Sequence, residues 1–164
     1  MTNDLYLRRK WTLQAHGQQV VFIKNKNERT AHVLMKAFLW ALYLPQYPNA
    51  TVEIRIGDRY KPDVVSLNEE GKPLFWAEAG QVSAKKIRAI ARRYPDTHFA
   101  IAKWHTKMAP LQETVQKAIR GLRRTAPFDL LIIPNDSEGR FIDDYGQIHL
   151  QHDQLEWIQI TNPS

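Results

Sequence analysis

Two acidic residues stand where the sequence could do chemistry. Asp63 ends the run Tyr60-Lys61-Pro62-Asp63, and Glu78 lies in Ala77-Glu78-Ala79-Gly80-Gln81. They are fifteen positions apart, and Asn68-Glu69-Glu70-Gly71 between them has the composition of a turn. If the flanking runs pair as a hairpin, their backbones lie about 5 Å apart. Period-two alternation then puts Asp63 on one face with Val65, and Glu78 on one face with Trp76 and Leu74. A register that brings the two carboxylates together makes a hard-oxygen site. Mg²⁺ takes one or two carboxylates and fills its remaining positions with water and substrate phosphate. Such an ion generates hydroxide and stabilises charge on a phosphate under attack. Apolar neighbours, Val64, Val65 and Trp76, would strengthen those fields.

Other side chains are candidates for supporting roles. Glu28 follows Asn25 by three positions, a spacing close to a capping box and equally open to a site role. Gln81 falls in a strand-to-helix turn, where its amide is free to meet water or phosphate. Lys85, Lys86, Arg88, Arg92 and Arg93 form the densest basic run. Ile87, Ile90, Ala91 and Tyr94 follow at i, i+3, i+4 and i+7, which assigns them the buried helix face. The basic side chains must then point outward, where they would hold phosphates in a salt-dependent, sequence-independent way. Lys117, Arg120, Arg123 and Arg124 make a second basic run. His149, His152 and Asp153 are too loosely spaced for a transition-metal site. Trp40, Trp104 and Trp157 read as packing residues.

These residues need a frame. Residues 5–14 and 18–24 are β-rich around a His16-Gly17 turn. Ala31, Leu34, Met35, Phe38, Leu39 and Leu42 predict an amphipathic helix that opens at residues 25–28 and ends near Tyr43, before Pro45. Three strands follow, over residues 51–56, 60–67 and 73–79. Ser83 is the expected N-cap of the next helix. Residues 98–104 read as a buried parallel strand, 110–124 as a helix, 128–133 as another strand, and 140–160 as short strands. The order is hairpin, helix, three strands, helix, strand, helix, strands: a mixed α/β domain.

On these residues the sequence resembles the PD-(D/E)XK nuclease superfamily, whose core runs helix, three strands, helix, strand. That is the order read here over about 27–104. The closer resemblance is to its YaeQ-like branch. It is carried by residues 20–24 leading into Glu28, by Leu34-Met35-Lys36-Ala37-Phe38-Leu39-Trp40, and by Glu78-Ala79-Gly80 running into Lys85-Lys86-Ile87-Arg88. It is strongest over residues 20–91 and weak beyond Trp104.

The resemblance implies one α/β domain over 1–164, with a restriction-endonuclease-like core, a mixed central sheet flanked by helices, and added terminal strands. It implies a Mg²⁺- or Mn²⁺-dependent nuclease that hydrolyses phosphodiester bonds. Asp63 and Glu78 would be the metal ligands, with Glu28 a further acid beside or behind them. The superfamily carries a lysine two positions after the second acid, and here Gly80 holds that place. In parts of the superfamily this lysine lies on the following helix. Lys86 or Lys85, with Gln81, would then position the attacking water and the scissile phosphate. Lys85, Arg88, Arg92 and Arg93 would contact the nucleic-acid backbone, DNA or RNA. Gly80 also raises an alternative: a catalytically degenerate module of the same fold that binds nucleic acid or a protein partner. A third class is an interaction protein without metal.

Composition agrees with a globular domain and narrows the classes. The chain has 164 residues, 43% hydrophobic and 24% charged, ordinary values for a folded protein. Its 23 Lys+Arg against 17 Asp+Glu give a net charge of +6, which favours polyanionic partners. Cysteine is absent, which excludes disulfides, thiol catalysis and cysteine metal sites. No apolar run approaches the ~18 residues of a membrane span. The first residues lack a basic start followed by an apolar stretch, so a cytoplasmic location is expected. No Gly-rich phosphate loop or Gly-x-Ser-x-Gly turn is present.

Overall fold

The computed structural model describes residues 9–161. Residues 5–8 of the first expected strand, and the N-terminal residues that bear on secretion, lie outside this range.

Two sheets form. The first is a hairpin of β1 (Lys10–Ala15) and β2 (Gln18–Ile23), paired antiparallel with Trp11 opposite Phe22. The second has six strands in the order β3-β4-β5-β6-β7-β8. These are Thr51–Val52, Val64–Leu67, Pro73–Ala79, His98–Trp104, Phe128–Ile133 and Glu156–Ile160. β3, β4 and β5 run antiparallel in turn, β5, β6 and β7 are parallel, and β8 returns antiparallel to β7. The sheet is mixed, as expected.

Helix α1 (Thr30–Tyr43) is buried at every position from Val33 to Tyr43. A helix apolar all round must be covered all round. The sheet residues Val64, Phe75, Ala77, Ala100 and Leu131 lie on one side of it, and Trp11, Leu13 and Phe22 of the hairpin share the same core. Helices α2 (Ala84–Arg93) and α3 (Met108–Ala118) cover the other sheet face, over Trp76, Phe99, Ile101 and Leu130. Ser83 caps α2 as its sequence promises, its hydroxyl accepting from Lys86 N–H at 3.1 Å.

Several bounds differ from expectation for identifiable reasons. β3 stops after two residues because Glu53 turns left-handed, at φ 56°. β4 starts only at Val64. The Asp58 carboxylate instead accepts from Tyr60 N–H at 2.8 Å and makes a turn. α3 begins at Met108, with Pro110 in the first turn where its missing N–H costs nothing. It ends at Ala118, ahead of the left-handed Gly121. Where short strands were expected over 140–160, a short helix α4 (Ser137–Phe141), one 3-10 turn (His152–Gln154) and β8 are found. β8 joins the main sheet, and a bridge from Gln14 to Gln147 ties the hairpin to the C-terminal segment.

A polar hub locks α1 to the start of the parallel strands. Asp129 is buried, and its Oδ2 accepts from the Tyr43 hydroxyl at 2.6 Å and from His98 Nε2 at 2.7 Å. Its Oδ1 accepts from Gln159 Nε2 at 2.9 Å, and the Tyr47 hydroxyl meets His98 Nδ1 at 2.8 Å. Burial works against the Asp129 charge, but the bonds from His98, Tyr43 and Gln159 outweigh it and hold its pKa below the ordinary carboxylate value. Asp129→Ala orphans two buried donors, Tyr43 and His98, and is expected to cost about 3 kcal/mol or more in urea unfolding. The folded pKa lies below the unfolded one. The stabilisation is therefore complete above about pH 4 and disappears as pH falls through the folded value, so wild type and variant should converge in acid.

Candidate functional site

The register of the β4–β5 pair places Val64 opposite Ala77 and Val65 opposite Trp76. One residue beyond that pairing the ladder is offset: Asp63 N–H bonds Ala77 O at 3.1 Å and its side chain bonds Ala79 N–H, so Asp63 stands against the end of β5 with its charge acting on Glu78. The two acids chosen from sequence are therefore cross-strand neighbours at one end of the hairpin. Asp63 is half-buried, and its Oδ2 accepts from Ala79 N–H at 2.8 Å. Its Oδ1 has no partner among the described residues.

Glu78 is 6% exposed. Its Oε1 accepts from Lys86 Nζ at 2.8 Å and its Oε2 from Trp76 Nε1 at 2.7 Å. Burial first, and the Asp63 charge second, raise its pKa despite those two donors. Of the two adjacent lysines, Lys86 is the one that reaches the acids, and its Nζ also lies 5.2 Å from the centre of the Tyr60 ring. Lys85 and Gln81 are exposed on the approach to α2, with no hydrogen bond among the described residues.

Glu28 belongs to a second group that touches the first. Its Oε2 lies 2.6 Å from Lys36 Nζ and 2.8 Å from His32 Nδ1. His32 Nε2 stands 3.8 Å from Asp63 Oδ2. Lys36 is 3% exposed and also bonds the Glu53 carboxylate. Glu28 N–H bonds the backbone Asn25 O at 3.0 Å and Glu28 Oε1 accepts from Asn25 N–H at 3.3 Å, a turn with only the Glu28 half of a capping box. It sits one turn ahead of the helix, whose N-cap is Arg29. Burial opposes the Glu28 charge, but Lys36 and His32 win and lower its pKa. Asp63, foremost, raises that of His32. Burial opposes the Lys36 charge, yet Glu28 and Glu53 raise its pKa. His32, Lys36 and Glu53 were not singled out as site residues by the sequence. A lysine in the apolar stretch Leu34-Met35-Lys36-Ala37-Phe38 was the one available signal.

The basic residues divide. Arg93 makes a two-bond pair with Asp58, Nε to Oδ2 at 2.8 Å and Nη2 to Oδ1 at 3.0 Å. Arg88 Nη1 donates to Ala118 O and Arg120 O, both at 3.0 Å, at the end of α3. Arg124, expected on a second surface patch, is buried and donates to Ala91 O, Tyr94 O and Thr97 O. Burial pushes its pKa down to about 10. Lys85 and Arg92 remain exposed, with head groups that bond no described residue. Lys85 and Arg92 share their surface with Lys117 of α3. The segment 53–62 commits its acids, Glu53 to Lys36 and Asp58 to Arg93. Its exposed charges, Arg55, Arg59 and Lys61, are all positive.

Among the described residues no group of three or more His, Asp or Glu side chains is arranged to hold a metal ion. Asp63 and Glu78 are a two-carboxylate donor set in which Asp63 Oδ1 bonds no described residue. That fits Mg²⁺, which completes its octahedron with water and substrate oxygen.

Solved structures share this fold. The crystal structure of YaeQ protein from Pseudomonas syringae superposes with a TM-score of 0.61 at 15% identity, over 82% of this chain and 75% of that one. YaeQ protein from Xanthomonas axonopodis pv. citri gives 0.54 at 14% identity, over 75% of this chain and 72% of that one. The architecture is YaeQ-like. No family model and no curated protein matches the sequence. No helix among the described residues is long and apolar enough to cross a membrane.

The raised Glu78 pKa makes a prediction with a definite sign. A carboxyl whose folded pKa exceeds its unfolded value destabilises the fold once pH rises above the unfolded value. Glu78→Gln removes that penalty. It is expected to stabilise the protein by about 1 kcal/mol at pH 7, the usual sign for a strained functional residue, with the gain vanishing below about pH 4. Urea unfolding at the two pH values checks it.

Proposed function

We propose that the chain is a PD-(D/E)XK-type, divalent-metal-dependent nuclease that hydrolyses phosphodiester bonds. The observation that carries this reading is the cross-strand juxtaposition of Asp63 and Glu78, with Lys86 seated on Glu78. Asp63 and Glu78 would hold Mg²⁺ or Mn²⁺, and Glu28 stands one histidine behind them. When bound, the ion supplies a Lewis acid and an acidified water.

The chain's own residues do the rest. Lys86 brings positive charge to the acids and positions the scissile phosphate, with Gln81 beside it at the head of α2. His32 steadies Asp63 from the α1 side. Lys85 and Arg92, on the outward face of α2 beside Lys117, hold the phosphate backbone by charge and without reading bases. Arg88 and Arg93, committed to bonds within the protein, support this surface more than they contact nucleic acid.

A second reading has its own observation. Both oxygens of Glu78 already have protein donors, and Gly80 takes the place of the superfamily's lysine. A module that has kept the fold and binds nucleic acid or a protein without cutting is consistent with both.

Purified protein is expected to cut plasmid DNA, single-stranded DNA or RNA with Mg²⁺ or Mn²⁺. EDTA should abolish cutting, and Asp63→Asn should reduce it at least 100-fold with the fold intact, since one carboxylate cannot hold the ion as two do. Lys85→Gln/Arg92→Gln is expected to weaken binding and lower the slope of log affinity against log salt by about two. Salt-dependent binding without any cutting would favour the second reading. Neither binding nor cutting would sink both.

A further inference from the structure

Next to the acid pair lies a cleft from whose lining the proposed function uses Gln81 alone. It has a volume of about 220 Å³ and opens between α2 and α3, where β5 and β6 end. Gly80, Gln81, Lys103 and Thr114 line it, over apolar walls that include Ile87 and Leu111. A single water occupies about 30 Å³, so the space suits a group of several heavy atoms.

Its position follows from the ladder. β5 and β6 are parallel, with Glu78 beside Ile101 and Ala79 beside Ala102. Gly80 N–H donates to Ala102 O at 2.8 Å and carries the pairing one step further, which sets Gly80 beside Lys103. Alternation then puts Lys103 on the same sheet face as Ile101 and Glu78, one strand over and two residues on, with backbones roughly 8 Å apart.

The charge there is also unspent. Lys103 is half-buried and forms no hydrogen bond or ion pair with any described residue. The other cations of this region are committed, Lys86 to Glu78 and Lys36 to Glu28 and Glu53. Around Lys103 the polar groups are a side-chain amide, Gln81, and a hydroxyl, Thr114, which donates to Pro110 O at 3.0 Å. An unpaired ammonium in a part-buried cleft, with neutral donors and no carboxylate in its lining, favours an anion. Asp63 and Glu78 repel an anion placed directly on them. A phosphate one strand over meets Lys103 instead.

We propose that this cleft is a phosphate subsite, in which Lys103 and Gln81 hold the phosphodiester adjacent to the one that lies over Asp63 and Glu78. The assignment of a nucleic-acid backbone rests on the nuclease-fold reading above. The subsite fixes the register of the strand across the acids, and its grip is on phosphate and not on base.

The test reads phosphate binding and not cutting, so that the two readings fail separately. Amide chemical shifts are followed by NMR while inorganic phosphate, and separately the dinucleotide TpT, are titrated at constant ionic strength. Both ligands are expected to move the amides of Gly80, Gln81 and Thr114 before others. Lys103→Met, which keeps the stem and removes the charge, should weaken both about tenfold or more, the loss of a charge-assisted contact. Lys103→Arg should largely restore them. Gln81→Ala, at an exposed position that carries no packing, should weaken them severalfold. Shifts spread over the basic surface, or unchanged in Lys103→Met, would overturn the subsite. Binding of inorganic phosphate without TpT would overturn the backbone assignment. A protein that binds both and never cuts would leave the subsite standing and remove the nuclease.

Discussion

A lysine in the middle of a fully buried helix dictates much of what surrounds it. Lys36 lies in α1, where neighbours on every side are apolar, and an unpaired ammonium there would cost several kcal/mol. The chain meets this with two carboxylates from opposite directions. Glu28 comes from the turn ahead of the helix, and Glu53 from the end of β3. Each consequence has a place in the fold. Holding Glu28 fixes the entry to α1 and, through His32, sets a hydrogen-bonding ring against Asp63. Holding Glu53 accompanies its left-handed backbone, whose N–H bonds Asp63 O at 3.0 Å. Both arms therefore converge on the same acid, one on its side chain and one on its backbone.

The same logic shapes the electrostatics of the surface. Segment 53–62 contains two acids and three bases, yet its exposed charges are bases alone. Glu53 is consumed by Lys36, and Asp58 by Arg93, by Tyr94 and by the turn at Tyr60. Helix α2 does the complementary thing, keeping Ile87, Ile90 and Ala91 inward and leaving Lys85 and Arg92 outward. A net charge of +6 is modest, but sorting acids inward and bases outward concentrates it.

Much of this was legible in the sequence, for physical reasons that can be named. The α2 face, its Ser83 cap and the parallel β6 strand follow from periodicity and local hydrogen bonding, which act within a few residues. The pairing of Asp63 with Glu78 was legible because one turn at Asn68-Gly71 fixes a short hairpin. Long-range charge pairing was not. Nothing local tells Glu53 that its partner is on α1, so its left-handed kink cut short a strand that alternation had extended to residue 56. Arg124 was read as surface because it follows Lys117, Arg120 and Arg123, yet it carries three backbone carbonyls that a broken chain segment would otherwise leave bare. Arg93 was read as a phosphate contact, and Asp58, thirty-five residues away, claims it.

Gly80 has a consequence for how this chain can change. Its φ is +89°, while a Cβ added there would meet only His32 Cδ2 at 3.7 Å and Met35 Cε at 3.9 Å, which is ordinary contact. Space is therefore not the obstacle to a side chain; the backbone is, since a left-handed residue with a Cβ costs about 1–2 kcal/mol. A lysine introduced at this position would arrive strained and with its side chain launched from the wrong backbone geometry. Positive charge beside the acids therefore has to be supplied by neighbouring strands and helices, as Lys86 supplies it from α2.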